Sequence, residues 1–488
     1  MKLNHPKGLY YLFFVEMWER FSFYGMRALL VLYMTKKLLY GDTAAYGVYG
    51  AYGALVYASP VMGGLLADRL LGYRKAVILG ASLMCMGHFL MAAPTEFFFY
   101  IALALIALGS GFFKPNISSI VGKLYPEGDP RRDSGFTIFY MGVNLGAFLA
   151  PLACGLIGET LGWHYGFSLA GFGMIIGLMI FFKAEKYLEG QGLPPNPELL
   201  HKPVFAGIKA MPLLYLGCLV AIPILALGLN HNSYIGGVLY IVGALVLLFL
   251  LYTAFTAEKV ARERLLVIVV LMFFHTLFWA FFEQAGSSLT LFADRNVNRQ
   301  ILGWVMPASI TQVINPLFII VLAPLFAKMW IVLQKRGSQP SVPIKFVLGL
   351  AQVGIGFGVL VFGASLAQST GVTALIWLIL AYFVHTTGEL CLSPVGLSAV
   401  TKLAPAQAVG TVMGAWFLTI SFAHHFAGWI AKLTKVSPDV EGTVSFGLVE
   451  SLKIYSSVFA DIFWFSLAGA LLLLLISPIL KRWMHGVE

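Results

Sequence analysis

The chain has 488 residues, of which 59% are hydrophobic and 11% are charged. Soluble domains are roughly 45 to 50% apolar and about 25% charged, so this composition excludes an ordinary soluble protein and indicates a membrane protein. The formal net charge of +10 does not indicate nucleic-acid binding, because no basic run is long or clustered enough.

Apolar stretches of about 20 residues recur along the whole chain, whereas strands of alternating polarity do not. The sequence therefore predicts an all-α membrane protein with 14 transmembrane helices. The predicted spans are 10–38, 46–70, 74–93, 97–122, 134–160, 165–183, 211–229, 234–257, 265–293, 301–333, 343–366, 371–402, 406–436 and 451–480. The start MKLNHPKG leads directly into the first span, and we expect no cleavable signal.

Lys and Arg are distributed very unevenly between alternate loops. If the N-terminus is cytoplasmic, 22 of the 32 lie on that side, seven lie on the opposite side, and three lie within spans. The positive-inside rule then predicts that both termini are cytoplasmic. The same distribution accounts for the basic net charge without a nucleic-acid partner.

A linker rich in Pro and Gly follows the sixth span. It predicts four parts: an N-terminal six-helix bundle (1–185), a cytoplasmic linker (186–210), two inserted transmembrane helices (211–257) and a C-terminal six-helix bundle (258–488). The inserted pair has almost no ionisable side chain, so we expect a structural role for it.

The stretch VEMWERFSFYGMR (15–27) carries four charges inside the first span. At about 100° per residue, Glu16, Glu19, Arg20, Tyr24 and Arg27 share one helix face. Four charges in the bilayer would cost on the order of 10 kcal/mol unless they are paired or hydrated. This face must therefore meet water or partner charges.

Three interpretations of the charged face remain open. It is a salt-bridge cluster that only fixes packing, a metal site formed by Glu16 and Glu19, or a proton relay. Arg20 argues against a metal because it would repel a cation. A carboxylate held near an arginine can exchange a proton and release its partner, as a relay requires.

Lys114, Glu283 and Glu389 are each isolated in a later span and need partners from elsewhere. The basic Arg20, Arg27 and Lys114 belong to the first six spans, and the acidic pair belongs to the last six. A cavity between two bundles with oppositely charged walls would suit a zwitterionic solute. The same charges would pair as gates when the cavity is empty.

Aromatic and amide side chains at similar depth fit either packing or the lining of such a cavity. They are Tyr24, Tyr57, Trp279, Trp416, Asn144 and Asn315. His385 lies one turn before Glu389, and the adjacent His424 and His425 cannot both face inward. We interpret these three histidines as packing residues.

Four motifs resemble a known family. GGLLADRLLGYRKAV (63–77) resembles a loop motif of the major facilitator superfamily, in which Asp68, Arg69 and Arg74 lock a cytoplasmic corner. Glu16, Glu19 and Arg20 match the E-x-x-E-R motif of the proton-dependent oligopeptide transporters. FYMGVNLG (139–146), with Val143 where Ile is usual, and GELCLSPVGLS (388–398) resemble two further motifs of that family. The resemblance covers nearly the whole chain and implies the major facilitator fold with two extra helices.

The resemblance also implies residue roles. Arg27 and Lys114 would take the peptide carboxylate and Glu389 the amino terminus. Asn144 and Asn315 would bind the peptide backbone; Tyr24, Tyr57, Trp279 and Trp416 would form pocket walls; Glu16, Glu19, Arg20 and Glu283 would couple protons. Arg27 with Glu283 would close an outer gate, and Lys114 with Glu389 an inner one. SFAHHFAG (421–428) departs from the family where small or amide residues are expected.

These observations together predict proton-coupled symport of di- and tripeptides by alternating access. We expect a monomer in the lipid bilayer of a bacterial inner membrane, driven by the proton gradient without a cofactor. A carrier for another organic ion or a nitrate-like solute is the alternative, although nitrate has no ammonium to pair with Glu389. An intramembrane hydrolase with Glu283 or Glu389 as general base lacks a metal cluster and a nucleophile.

Overall fold

The computed structural model describes residues 5–126, 128–200, 202–205, 207–405, 408–436 and 447–487. Long helices dominate these ranges. They are α1 (Lys7–Lys36), α2 (Asp42–Leu66), α3 (Gly72–Met91), α4 (Glu96–Lys123), α5 (Arg132–Ala150), α6 (Leu156–Thr160), α7 (Trp163–Ala184), α8 (Ala210–Asn230), α9 (Asn232–Thr256), α10 (Lys259–Phe282), α11 (Ser288–Asn296), α12 (Ile314–Lys335), α13 (Val342–Leu366), α14 (Leu375–Leu403), α15 (Val409–Lys432) and α16 (Leu448–Trp483).

Several helices continue through short turns of different winding. π-Helical turns at Ala67–Leu71 and Pro151–Gly155 join α2 to α3 and α5 to α6. A proline lacks the N–H that an α-helix needs, so Pro151 accounts for the change of winding at the second turn. Further 3₁₀ turns lie at Glu185–Tyr187, Pro197–Leu200, Glu283–Gly286 and Ala308–Val313.

In the described part of the chain, six very short strands lie in the connections between helices. β1 (Pro203–Phe205) pairs with β2 (Ile208–Lys209) and β4 (Gln300–Ile301) with β5 (Trp304–Val305), both antiparallel. β3 (Val297–Asn298) pairs in parallel with β6 (Thr373–Ala374). The all-helical prediction is therefore confirmed for most of the predicted spans. The predicted span 301–333 instead begins with strand residues of β4 and β5 and a 3₁₀ turn, and its helix α12 begins at Ile314.

Eleven helical stretches are long and apolar enough to cross a membrane within the described ranges. One of them, Asp42–Met91, contains the predicted span 46–70 and most of 74–93. Neither α1, which includes the charged stretch 15–27, nor α15 is among the eleven. The chain is thus a multi-pass helical membrane protein, whereas the count of fourteen crossings stays a prediction. Residues 406–407, at the start of one predicted span, lie outside the described residues.

The chain forms two compact units. Unit 1 comprises residues 1–33 and 55–235, and unit 2 comprises residues 34–54 and 236–488. This grouping by contacts places α8 in unit 1 and most of α9 in unit 2. It therefore differs from the four predicted parts, whose boundaries stay a prediction.

Glycines allow close helix packing in unit 1. A Cβ atom on Gly80 of α3 would lie 2.5 Å from the carbonyl oxygen of Gly109 on α4, and one on Gly109 would lie 2.6 Å from that of Gly80. Real Cβ atoms do not approach so closely, so these backbones touch only because both residues are glycine. In unit 2, α13 packs on α14 and α16, and α10 packs on α15.

The linker that follows α7 is fixed to the corner between α2 and α3. Arg74 donates from Nε to the carbonyl oxygen of Gln191 at 2.6 Å, and its backbone N–H donates to Gly192 at 2.9 Å. Gly72 adopts φ +70°, and a Cβ atom there would lie 2.4 Å from Pro194 N. The motif that the sequence assigns to this corner therefore also holds the linker.

Candidate functional site

One guanidinium on α1 serves two buried carboxylates in unit 1. Arg20 Nε lies 2.8 Å from Glu16 Oε1, to which it donates, and 2.6 Å from Glu19 Oε2. The side chain of Glu19 is fully buried, and those of Glu16 and Arg20 are nearly so. Positions three to four apart face the same way on a helix, which explains why E-x-x-E-R brings these groups together. The cluster carries two negative charges and one positive charge when all three groups are ionised.

Lys114 extends toward aromatic rings beside this cluster. Its Nζ lies 4.3 Å from the centroid of Tyr57 and 4.6 Å from that of Phe23. Nζ is buried and makes no hydrogen bond within the described part of the chain. Ring faces attract a cation, but they do not replace the hydrogen bonds that an ammonium makes in water. The side chain is therefore ready to accept an anionic group.

The other predicted residues of unit 1 occupy the same helices. Arg27 places Cζ 5.7 Å from the centroid of Tyr24, and both side chains are half-buried. Asn144 on α5 donates its amide to the carbonyl oxygen of Tyr140 at 3.0 Å, within its own helix. At least one N–H of this buried amide is therefore already bonded to the backbone.

Glu389 and Asn315 meet in unit 2. The Asn315 amide donates to Glu389 Oε2 and to Thr386 Oγ1, each at 3.0 Å. Thr386 in turn donates to the carbonyl oxygen of Tyr382 at 2.7 Å. The neighbouring helices α12 and α14 therefore hold the carboxylate and the amide as one hydrogen-bonded group.

Glu283 lies where α10 changes into a 3₁₀ turn, facing a histidine of α15. His424 Nδ1 lies 3.8 Å from Glu283 Oε2, and both side chains are buried. The turn is held in place by the next residue, Gln284, whose amide donates to the carbonyl oxygen of Ala427 at 3.0 Å. His424 fits because Gly53 leaves room: a Cβ atom at Gly53 would lie 2.5 Å from Nδ1.

Trp279 and Trp416 are joined by a histidine that the sequence analysis does not single out. Trp279 donates from Nε1 to His275 Nε2 at 3.0 Å, and the His275 ring lies 4.2 Å from that of Trp416. Trp279 is half-buried, whereas Trp416 is 3% exposed. Of the two indoles, Trp279 is the more accessible.

His385 and His425, two of the three histidines that the sequence predicts to be packing residues, have packing partners. His385 is buried with its ring 4.8 Å from that of Phe357, and Gly356 leaves it room. His425 Nε2 lies 2.9 Å from the Tyr240 hydroxyl on α9. His424 and His425 differ in burial and in their partners, as expected of adjacent residues on a helix.

Each unit thus brings together part of the predicted site. Glu16, Glu19, Arg20 and Lys114 cluster in unit 1, and Asn315 joins Glu389 in unit 2. The two predicted gates, Arg27 with Glu283 and Lys114 with Glu389, each join a residue of one unit to a residue of the other. The gates and the assigned roles stay predictions.

Sequence reasoning missed His275, Thr419, Thr386 and Phe23. A signal for the first exists, because His275, Trp279 and Glu283 follow one another at intervals of four along α10 and so share a face. Thr419 and Thr386 give no such signal, since a threonine within a span usually bonds its own helix. Phe23 looks like any other core aromatic.

The helices and buried charges define a multi-pass carrier-like membrane protein, since ionisable side chains within spans mark solute and proton pathways. Within the described ranges, no group of three or more His, Cys, Asp or Glu side chains is arranged to hold a metal ion.

Comparison with known proteins identifies the family. The model described as the POT family (PTR2) matches residues 74–447. The uncharacterized transporter YclF of Bacillus subtilis is 38% identical over 493 residues, covering 99% of this chain and 96% of the relative. The peptide transporter YePEPT of Yersinia enterocolitica is 36% identical over 509 residues, covering 99% and 96%. The chain therefore belongs to the POT family.

A solved structure agrees with this assignment. The crystal structure of a peptide transporter POT in complex with sulfate has a TM-score of 0.84 and 38% identity, covering 100% of this chain and 97% of that one. The predicted fold class, an all-helical transporter of the major facilitator type, is confirmed.

Proposed function

We propose that this protein imports di- and tripeptides together with protons by alternating access. Relatives across the full length are named as peptide transporters, which supports the substrate class. The protein lies in a bacterial inner membrane with both termini cytoplasmic, in agreement with the distribution of Lys and Arg. It works as a monomer in the lipid bilayer, and it has no enzymatic activity. The proton gradient is its driving force, without a bound cofactor.

The single observation that carries the substrate assignment is the environment of Lys114. Its buried ammonium has aromatic faces beside it and no hydrogen-bond acceptor within the described ranges. A peptide carboxylate supplies the missing acceptor, and hydrogen bonds between charged groups contribute about 1.5–3 kcal/mol. Arg27 gives the same carboxylate a second cationic partner.

The acidic group of unit 2 suits the ammonium of a peptide. Glu389 is held by the Asn315 amide, and its charge pairs with a peptide ammonium. A nitrate-like solute has no cationic group for this carboxylate. The hydrogen-bonded pair of Glu389 and Asn315 therefore favours a zwitterion over a simple anion as the solute.

The α1 cluster and Glu283 give protons a place to bind. With two carboxylates on one guanidinium, protonation of one carboxylate leaves a neutral pair and frees arginine donors. One pH unit supplies about 1.4 kcal/mol and 100 mV about 2.3 kcal/mol per proton. Their sum, about 3.7 kcal/mol, concentrates a neutral peptide several hundred-fold for one proton.

Competition by a peptide without its carboxylate tests the assignment of Lys114. Dialanine and dialanine amide compete against labelled dialanine in proteoliposomes with the wild type and with Lys114→Gln. We expect the amide to compete at least 10-fold more weakly than dialanine with the wild type. In Lys114→Gln that difference shrinks because dialanine itself binds more weakly.

Lys123→Gln is the matched control. Lys123 lies on the same helix with its Nζ 4.6 Å from the Tyr73 ring centroid, but it is exposed. This variant should keep the full difference. Equal competition by dialanine and dialanine amide in the wild type would contradict the role of the carboxylate. Transport of another organic ion, with no transport of peptide, would support the alternative carrier.

A further inference from the structure

His275 links the two predicted tryptophan walls through a chain of hydrogen bonds. Its Nε2 lies 3.0 Å from Trp279 Nε1, one helical turn away on α10. Its Nδ1 lies 2.7 Å from Thr419 Oγ1 on α15. Thr419 Oγ1 lies 2.6 Å from the carbonyl oxygen of Trp416, to which it donates. The imidazole therefore connects two helices and both tryptophans, the Trp279 indole directly and the Trp416 backbone through Thr419.

The partners assign the proton on each atom. An indole N–H only donates, so His275 Nε2 must be the acceptor for Trp279. The neutral ring then carries its proton on Nδ1 and donates a hydrogen bond to Thr419 Oγ1, and the Thr419 hydroxyl donates a hydrogen bond to the Trp416 carbonyl oxygen. One tautomer satisfies every group in the chain. A second ring proton, on Nε2, would face the indole N–H and break the first link.

The arrangement limits the rotation of Trp279. His275 is buried, so water does not replace the bond to the indole if the imidazole is lost. The imidazole also lies against Trp416, with 4.2 Å between ring centroids and 35° between ring planes. Trp416 is closely packed on its far edge too, because a Cβ atom at Gly396 would lie 2.6 Å from its Cζ2. Trp416 and His275 thus form a rigid support, and the half-buried indole of Trp279 is hydrogen-bonded to it.

We propose that His275 is a positioning residue that fixes the Trp279 indole and thereby determines which peptide side chains the site accepts. The inference rests on the proposed peptide transport. A fixed indole offers a flat face on which an aromatic side chain stacks, and this contact adds to the effect of burying its apolar area. A methyl side chain gains little from that face. His275 should therefore act on large aromatic side chains and hardly on dialanine.

The test compares two dipeptides in proteoliposomes under the same proton gradient. His275→Phe keeps an aromatic ring and removes both nitrogens. For phenylalanyl-alanine we expect KM to rise about 3- to 10-fold, as for the loss of one aromatic stacking contact. For dialanine we expect KM to change less than about 2-fold and the proton-driven accumulation to stay at the wild-type level.

Two further variants separate positioning from a general packing defect. His275→Gln returns an acceptor within reach of the Trp279 indole and should recover most of the KM for phenylalanyl-alanine. His88→Phe replaces another fully buried histidine, on α3 in unit 1, and should leave the ratio of the two KM values unchanged. An equal rise of both KM values in His275→Phe, without recovery by the glutamine, would overturn the inference.

A double-mutant cycle keeps the inference testable if one variant folds poorly. Trp279→Phe removes the indole N–H, so in that background His275→Phe should add no further change in the KM ratio. Independent effects of the two substitutions would contradict positioning through Trp279. If wild-type protein transports neither dipeptide, peptide transport itself fails, whereas transport of both without any His275 effect refutes only this inference.

Discussion

Replacing Arg20 with Gln should destabilise the protein far more than replacing Glu19 with Gln. Arg20→Gln leaves two buried carboxylates, Glu16 and Glu19, without the cation that lies 2.8 and 2.6 Å from them. Removing one partner of a buried ion pair costs about 3–5 kcal/mol. Glu19→Gln instead leaves one carboxylate paired with one guanidinium, so we expect a change within about 1 kcal/mol.

The assay is thermal unfolding of the purified protein in detergent. At about 2.1 cal/mol/K per residue, unfolding of 488 residues has an entropy of about 1 kcal/mol/K, so Arg20→Gln should lower Tm by roughly 3–5 °C. Glu19→Gln should shift Tm by about 1 °C. The double variant should regain part of the loss, because it carries one buried carboxylate fewer. Equal losses for the two single variants, or no recovery, would refute this reasoning.

Two other predictions follow from the geometry. Gly53→Ala places a Cβ atom 2.5 Å from His424 Nδ1 and should lower the free energy of unfolding by about 1–3 kcal/mol; adding His424→Ala should restore most of it, and a failure to do so would contradict the packing. In the connection before α5, the hydrogen bonds from the Arg131 side chain and backbone lower the pKa of Asp129 to about 2. A carboxyl whose pKa is lower in the folded state stabilises above its unfolded pKa and loses this effect as pH falls. Asp129→Asn should therefore reduce Tm at pH 5–8, and the difference from wild type should vanish between about pH 4 and pH 2; a difference that grows toward acid would be the opposite result.

The helical fold class and the α1 cluster could be predicted from the sequence because both follow from local periodicity. Twenty apolar residues specify a membrane helix, and positions three or four apart specify one face. Glu16, Glu19 and Arg20 accordingly meet as expected. The motif at 388–398 likewise marks Glu389 as a candidate site residue from the sequence alone.

The partners of isolated residues could not be predicted, because tertiary packing decides them. Nothing in the sequence shows that Asn315 bonds Glu389, or that His424 rather than His425 faces Glu283. The place for His424 depends on a glycine about 370 positions earlier in the chain. Periodicity alone also does not reveal a link such as that of His275 to Thr419.

Uptake of labelled dialanine into proteoliposomes tests the central claim most directly. It is measured with an inward proton gradient and again with that gradient collapsed by an ionophore. We predict accumulation above the external concentration in the first condition and only equilibration in the second. Equal uptake in both conditions would contradict proton coupling, and no uptake in either would contradict peptide transport.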